Sequence, residues 1–173
     1  HELTNFKKRI GGFMLLTGQN YIAGKTSAEG RATFTSVNPR TKTNGDVHFY
    51  NATQNEIDRA VHTAVEAFKE TRTYPASKIA DFLDEVANQI EALGDDLLTT
   101  ADMETGLGLP RLTGERGRTT GQLRAFGNLL REGSYVRAII DVEPNIRQMQ
   151  FPIGPVVVFS ASNFPFAFAV AGG

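Results

Sequence analysis

The residues of this chain best suited to chemistry are Phe159-Ser160-Ala161-Ser162-Asn163-Phe164-Pro165. Val156-Val157-Val158-Phe159 leads into them, after a turn at Pro152-Ile153-Gly154-Pro155. A continuous apolar run of this kind is what a parallel strand buried on both faces requires. The small polar loop would then sit at the carboxyl end of that strand, where open α/β sheets bind ligands. Backbone groups of Phe159, Ser160, Ala161 and Ser162 could line a ribose or a nicotinamide ring. The carboxamide of Asn163 would point into the crevice, and its NH2 can donate to a developing oxyanion. Such a donor is worth roughly 3–4 kcal/mol in a transition state. Asn before Phe-Pro also suits a helix N-cap, and spacing alone favours the cap.

Several elements must position that stretch. Tyr21-Ile22-Ala23-Gly24-Lys25 reads as a short strand and turn. Thr33–Val37 reads as a second strand closed by Asn38-Pro39, the two forming one hairpin across a polar connection, Thr26 to Gly30. Thr53-Gln54-Asn55-Glu56 is a capping box. Ile57, Val61, Ala64, Val65 and Phe68 form one apolar stripe behind it, which predicts a helix over 54–71. Pro75 restarts the chain, and Ile79, Phe82, Leu83, Val86, Ile90 and Leu93 mark a second helix that Gly94 ends. Asp95 and Asp96 suit the start of a short helix over 95–105, stopping at Gly106. A longer helix is predicted over 110–131, with Leu112, Leu123, Phe126 and Leu130 as its apolar marks. Tyr135–Val142 and Ile146–Phe151 read as two strands around Pro144-Asn145, and Phe164-Pro165 should open a helix with Pro in its first turn. A buried parallel strand needs neighbours, and the sequence supplies no second one. The expectation is an incomplete α/β chain that begins a βα unit and does not return to the sheet.

Composition narrows the function classes. The chain has 173 residues, 40% hydrophobic and 21% charged, with a net charge of -1. That is a soluble globular composition with no basic footprint for nucleic acid and no basic helix for a membrane surface. There is no cysteine, which removes disulfides and thiol catalysis from this chain. His1, His48 and His62 have no metal-ligand spacing, so no metal is expected. Lys7-Lys8-Arg9 and the short apolar run after them do not make a signal peptide. Met14 could be a native start, and a cytoplasmic location is the expectation.

Four stretches, in order, resemble the aldehyde dehydrogenase family. Tyr21-Ile-Ala-Gly-Lys…Val37-Asn38-Pro39 resembles the family opening. Glu56-Ile-Asp-Arg-Ala-Val-His-Thr-Ala-Val-Glu-Ala-Phe68 resembles its first helix. Glu104-Thr105-Gly106 with Leu109-Pro110 resembles a family corner, and Pro152-Ile-Gly-Pro-Val-Val-Val…Asn163-Phe164-Pro165 resembles the stretch that carries the family's oxyanion-hole asparagine. Ser162 stands where tryptophan is usual. Ser-Asn-Phe-Pro with Ala171-Gly-Gly after it, and Gly114-Glu-Arg-Gly-Arg-Thr-Thr-Gly-Gln-Leu-Arg124, look like the branch of α-ketoglutarate-semialdehyde and NADP-preferring long-chain aldehyde dehydrogenases.

The resemblance implies a Rossmann-type fold, NAD or NADP as cofactor, a small aldehyde as substrate, and a homodimer or homotetramer. It implies oxidation to the carboxylate through a cysteine thiohemiacetal and thioester, with the cysteine, the general base and the cofactor-gripping lysine outside this chain. Asn163 would share the oxyanion. The layout it implies is an N-terminal extension (1–20), a hairpin and helical part (21–135), oligomerisation strands (136–151) and the start of the dinucleotide-binding βα unit (152–173). Arg118 would fall on the helix face lining the aldehyde tunnel and meet the distal carboxylate of a semialdehyde acid, or else pair at the surface with Glu115. Gly114, Gly117 and Gly121 make one helix face small enough for close approach. Phe164 is either tunnel wall or core, and Phe168 reads as core. His62 reads as solvated, and Asp81, Asp84 and Glu85 as charged surface. The alternative to an enzyme fragment is a non-catalytic assembly or binding module acting through exposed strands.

Overall fold

The computed structural model describes residues 9–10, 13–14 and 16–170. The readings made at Lys7-Lys8 and at Ala171-Gly172-Gly173 lie outside the described residues. In chain order the elements are β1 (Arg9–Ile10), β2 (Phe13–Met14), β3 (Asn20–Ile22), β4 (Lys25–Ser27), β5 (Thr33–Val37), β6 (Asn44–Tyr50), α1 (Gln54–Thr71), α2 (Ala76–Ala92), α3 (Gly94–Thr105), α4 (Leu109–Glu132), a 3-10 turn (Ser134–Val136), β7 (Ile139–Asp141) and β8 (Ile146–Gln148). They form two compact units. The first takes the chain up to Ala64 together with Leu93–Thr113, and the second takes Val65–Ala92 with the chain from Gly114. The boundaries fall inside α1, between α2 and α3, and inside α4.

In the first unit, the pairing differs from the single hairpin expected. β3 turns back at Ala23-Gly24, both with positive φ (54° and 77°), and pairs with β4 in the register Tyr21↔Thr26. A two-residue turn of that geometry matches the twist of antiparallel strands. It closes a far shorter loop than a partner at Thr33 would. β5 pairs instead with β6, Phe34 opposite Phe49, their rings stacked with centroids 5.5 Å apart. The connection is built on Asn38, whose Oδ1 accepts from the N–H groups of Arg40 (2.9 Å) and Thr41 (3.3 Å). The strand β6 was not anticipated, although its half-buried residues do alternate: Gly45, Val47, Phe49.

The capping box forms as read. Thr53 Oγ1 accepts from the Glu56 N–H at 3.2 Å, and Glu56 Oε2 accepts from the Thr53 N–H at 2.8 Å. Glu56 also accepts from the Glu29 N–H (3.3 Å), while Arg59 donates to Glu29 (2.7 Å) and to Ser27 Oγ (2.9 Å). The chain after β4 is thereby clipped to the first turn of α1. Glu56 is fully buried. Hydrogen bonds from the Ser27 hydroxyl and the Thr53 N–H hold its pKa down at about 2, against an ordinary 4.5.

A folded-state pKa below the unfolded one means stability that is present above pH 4.5 and lost as pH falls from there towards 2. Glu56→Gln in the full-length protein should therefore melt below the parent at neutral pH, and the gap should narrow once pH drops under 4.5. Thermal midpoints measured across that range check this. A gap that stays constant with pH would contradict it.

The corner at the end of α3 meets the turn after β5. Gly106 has φ 68° and its N–H bonds Asp102 O, a left-handed cap that a side chain would strain. A Cβ there would also stand 2.8 Å from the Pro39 ring. Arg40 reaches both oxygens of Asp102 (2.7 and 2.8 Å) and Gly106 O (3.1 Å), and Asp102 accepts from the Gly108 N–H at 2.8 Å. Two of the sequence stretches that carry the family resemblance, Asn38-Pro39 and Glu104–Gly106, are thus one assembly. Ile22, Leu98, Ala101 and Leu112 are buried in this unit.

In the second unit α2 and α4 pack through small residues. Ala80 and Ala87 are fully buried, and a Cβ on Gly127 would stand 3.2 Å from Asp84 Oδ1 and 3.4 Å from Ala80 O. Arg124 pairs with Glu91 (2.6 Å) and Asn88 (2.9 Å), and Arg131 with Asp81 (2.8 Å) and Asp84 (2.6 Å). Asp81 and Asp84 therefore carry ion pairs as well as facing solvent. The helix bounds match the stripes closely, but burial does not follow the stripes. Ile57 and Val61 in the first unit, and Val65 and Phe82 in the second, stay exposed.

β7 and β8 pair antiparallel, Ile140 opposite Arg147, and are shorter than expected at both outer ends. Their side chains are exposed on both faces. Val156–Phe159 does not form the anticipated buried strand: the run joins no ladder among the described residues, and Phe159 is 92% exposed. Parallel strands are held only by neighbours on the same sheet, and none is present among the described residues. The helix expected from Phe164-Pro165 is reduced to turns, with one helical bond from the Phe168 N–H to Phe164 O at 3.2 Å.

Candidate active site

The turn around Asn163 lies in the second unit. The Phe164 N–H donates to Ala161 O at 3.1 Å, and Pro165 follows as the first residue of the helical turn. Proline is at home there, since that position has no N–H partner to lose. A cap at Asn163 would serve the N–H two or three residues on. Pro165 has none, and that of Phe166 donates to Glu115 Oε1 at 2.8 Å. The Ala167 N–H reaches the same oxygen at 3.1 Å, and Ala167 is fully buried. Asn163 itself is exposed.

Phe164 and Phe168 stack with centroids 4.7 Å apart, and the Arg118 guanidinium lies 5.8 Å from the centroid of the Phe164 ring. A guanidinium over an aromatic face is held in place while its N–H edge stays open to an anion. The structure thus brings Arg118 to Phe164, one residue from Asn163. The alternative ion pair between Arg118 and Glu115 is not formed, because the Glu115 carboxylate is turned to the backbone of the Phe166 turn. Gly114, Gly117 and Gly121 do not serve a close approach: a Cβ on any of them would have nothing within 4 Å. That glycine face is open, because the contacts of α4 fall instead on Leu112, Glu115, Thr119 and Leu123, all buried.

Phe159, Ser160 and Ser162 are exposed and Ala161 is half-buried. From Val156 to Ser160 no backbone pairing occurs among the described residues, so these N–H and C=O groups are open to a polar ligand edge. Small side chains at Ala161 and Ser162 leave room beside them. That donor set suits a ribose or a nicotinamide carboxamide, and these residues carry no cation for a diphosphate. A cavity of about 490 Å3 in the first unit is lined by Ser36, Asn38, Asp46, Thr100, Met103 and Glu104 and contains none of the candidate residues. Among the described residues no helix is long and apolar enough to cross a membrane.

Glu115 is the residue that sequence reasoning missed as a site component. A glutamate between Gly114 and Arg116 on a polar helix reads as solvated charge, and only its burial, at 5% exposure, marks it.

Comparisons with known proteins bear on the same segments. The sequence model of the aldehyde dehydrogenase family matches residues 25–172. The α-ketoglutaric semialdehyde dehydrogenase of Acinetobacter baylyi is 43% identical over 165 residues, 90% of this chain and 31% of that protein. α-Ketoglutaric semialdehyde dehydrogenase 2 of Azospirillum brasilense is 41% identical over 170 residues, 92% of this chain and 32% of that protein. The chain therefore spans about a third of the length of these relatives. Among solved structures, HpcC from Thermus thermophilus superposes with a TM-score of 0.78 at 21% identity, covering 88% of this chain and 30% of that one. Betaine aldehyde dehydrogenase from Staphylococcus aureus, solved with NAD+, superposes at 0.65 and 18% identity, covering 73% and 26%. These likenesses show the fold, of which the chain covers the N-terminal part of a Rossmann-like enzyme. With the family match running through both the Pro39–Gly106 corner and the Asn163 turn, the chain belongs to the aldehyde dehydrogenase family.

Proposed function

We propose that this chain supplies the oxyanion side of an active site that oxidises α-ketoglutarate semialdehyde, or a closely similar carboxylated aldehyde, to its carboxylate with NAD+ or NADP+. The observation that carries the reading is the Arg118 guanidinium laid on the Phe164 ring beside Asn163. An anion-binding fork on the ring that follows a carboxamide donor in the chain supports an aldehyde with a distal carboxylate. Two relatives over 40% identical, named for that semialdehyde, support the substrate class.

In this reading Asn163 Nδ2–H donates to the oxygen of the aldehyde as it takes negative charge. Arg118 holds the distal carboxylate, and Phe164 lines the passage between the two. Backbone groups of Phe159, Ser160, Ala161 and Ser162 border the cofactor, and the nicotinamide supplies the hydride acceptor when bound. The nucleophile comes from outside these residues, since the chain has no cysteine.

The full-length protein, assayed with the semialdehyde acid and with an uncharged aldehyde of equal length, should reduce a nicotinamide cofactor in step with carboxylate formed. A charge-assisted contact of about 1.5–3 kcal/mol should favour the acid by roughly tenfold or more in kcat/KM. Absence of turnover with both NAD+ and NADP+ would overturn the reading. The enzyme would work in the cytoplasm.

A specific observation also supports assembly. β7 and β8 expose Ile139, Ile140, Val142 and Ile146 on a hairpin with free edges, the kind of surface that pairs with another copy. A homodimer or homotetramer is the expected state, and a native mass equal to one chain would contradict it.

A further inference from the structure

We propose that Glu115 is a positioning residue for Asn163: its carboxylate takes the place of a helix cap and fixes the turn that carries Asn163. The proposal rests on the reading of Asn163 as oxyanion donor.

A helical turn opens with N–H groups that find no partner inside it. The Phe168 N–H to Phe164 O bond makes Phe164 the capping position and Pro165 the first turn residue. Phe164 has no side-chain acceptor. The two N–H groups that a Ser or Asp cap would serve, those of Phe166 and Ala167, both converge on Glu115 Oε1 at 2.8 and 3.1 Å. Glu115 does this from α4, more than fifty residues earlier in the chain. Its side chain is buried, and Oε2 has no partner among the described residues.

Burying a carboxylate with one oxygen unpaired costs stability. Its position is explained by the backbone it holds rather than by packing. One helical turn further along α4, Arg118 rests on Phe164. Two side chains of one helix therefore hold the segment that begins immediately after Asn163. A displacement of the donor by about 1 Å can cost on the order of 100-fold in rate.

The test is a double-mutant cycle in the full-length enzyme. Glu115→Ala should lower kcat by roughly 10- to 100-fold with KM for the aldehyde changed by less than about threefold. Glu115→Gln, which keeps an oxygen acceptor for both N–H groups, should restore most of that loss. Because Glu115 acts through Asn163, the double variant Asn163→Ala/Glu115→Ala should be no slower than Asn163→Ala alone, within about twofold. If Glu115→Ala does not fold, the cycle uses Glu115→Asp, which keeps the charge but draws the carboxylate back by one methylene. The same non-additivity is expected of it. Losses that multiply in the double variant, or an unchanged kcat in the soluble Glu115 variant, would overturn the role of Glu115 and leave Asn163 standing. An unchanged kcat in Asn163→Ala would instead overturn the reading of Asn163, and the role of Glu115 with it.

Discussion

Asn163→Ala in the full-length enzyme is expected to lower kcat by about 100- to 1000-fold, the usual consequence of removing one oxyanion donor. The loss should appear in kcat and kcat/KM alike, because the hydrogen bond strengthens only as the aldehyde oxygen gains charge. Binding of the cofactor, measured by fluorescence titration, should change little. Asn163→Asp should be worse than Ala, since a carboxylate would face the developing negative charge. The N–H groups of Phe166 and Ala167 are already taken by Glu115, and Pro165 has none to offer. The Phe166 N–H, which a cap at Asn163 would serve, is thus bonded to Glu115. A kcat within a few-fold of the parent would return Asn163 to a structural role.

Arg118→Ala should cost roughly 10- to 100-fold in kcat/KM on carboxylated aldehydes and little on uncharged ones of the same length, as expected from a charged hydrogen bond of about 1.5–3 kcal/mol. Most of the change should fall in KM, because the distal carboxylate is bound equally in ground and transition states. Arg118→Lys keeps the charge but loses both the planar face against Phe164 and the two-pronged fork, so it should recover only part of the loss. Equal losses on charged and uncharged substrates would sink the assignment. That outcome would point instead to Arg118 supporting the Phe164 ring.

The two expected effects differ in how far the sequence foretold them. The Asn163 stretch was legible because its residue types are unusual together: an apolar run, small polar residues, then Asn-Phe-Pro. Arg118 was located by its place in a family-like helix, and the aromatic ring it rests on emerged only from the fold. Glu115 was invisible. Its function depends on two N–H groups fifty residues away, and no local pattern encodes that.

The helices show the same division. Thr53 and Glu56 satisfy each other within one turn, so the start of α1 could be read directly from four letters. Gly106 ends α3 because its own backbone enters the left-handed region. The hairpins could not be read in this way. Tyr21 could pair with a strand beginning at Lys25 or at Thr33, and the choice fell to the turn at Ala23-Gly24. The same holds for burial. Ile57 and Val61 lie on the apolar stripe of α1 and yet stay exposed, and between α2 and α4 the close contact falls on Ala80 and Gly127.

By itself, then, the sequence determined the four helices, their ends, the position of the Asn163 turn and the family. Each rests on interactions between residues a few positions apart, or on residue types rare in combination. Tertiary structure alone decided the strand pairing, the joining of Arg40 to Asp102, the clamp of Glu115 on the Phe166 turn and the failure of Val156–Phe159 to become a strand. Those outcomes depend on partners distant in the chain, and a strand or a buried carboxylate has no defined state until its hydrogen-bonding partner is in place.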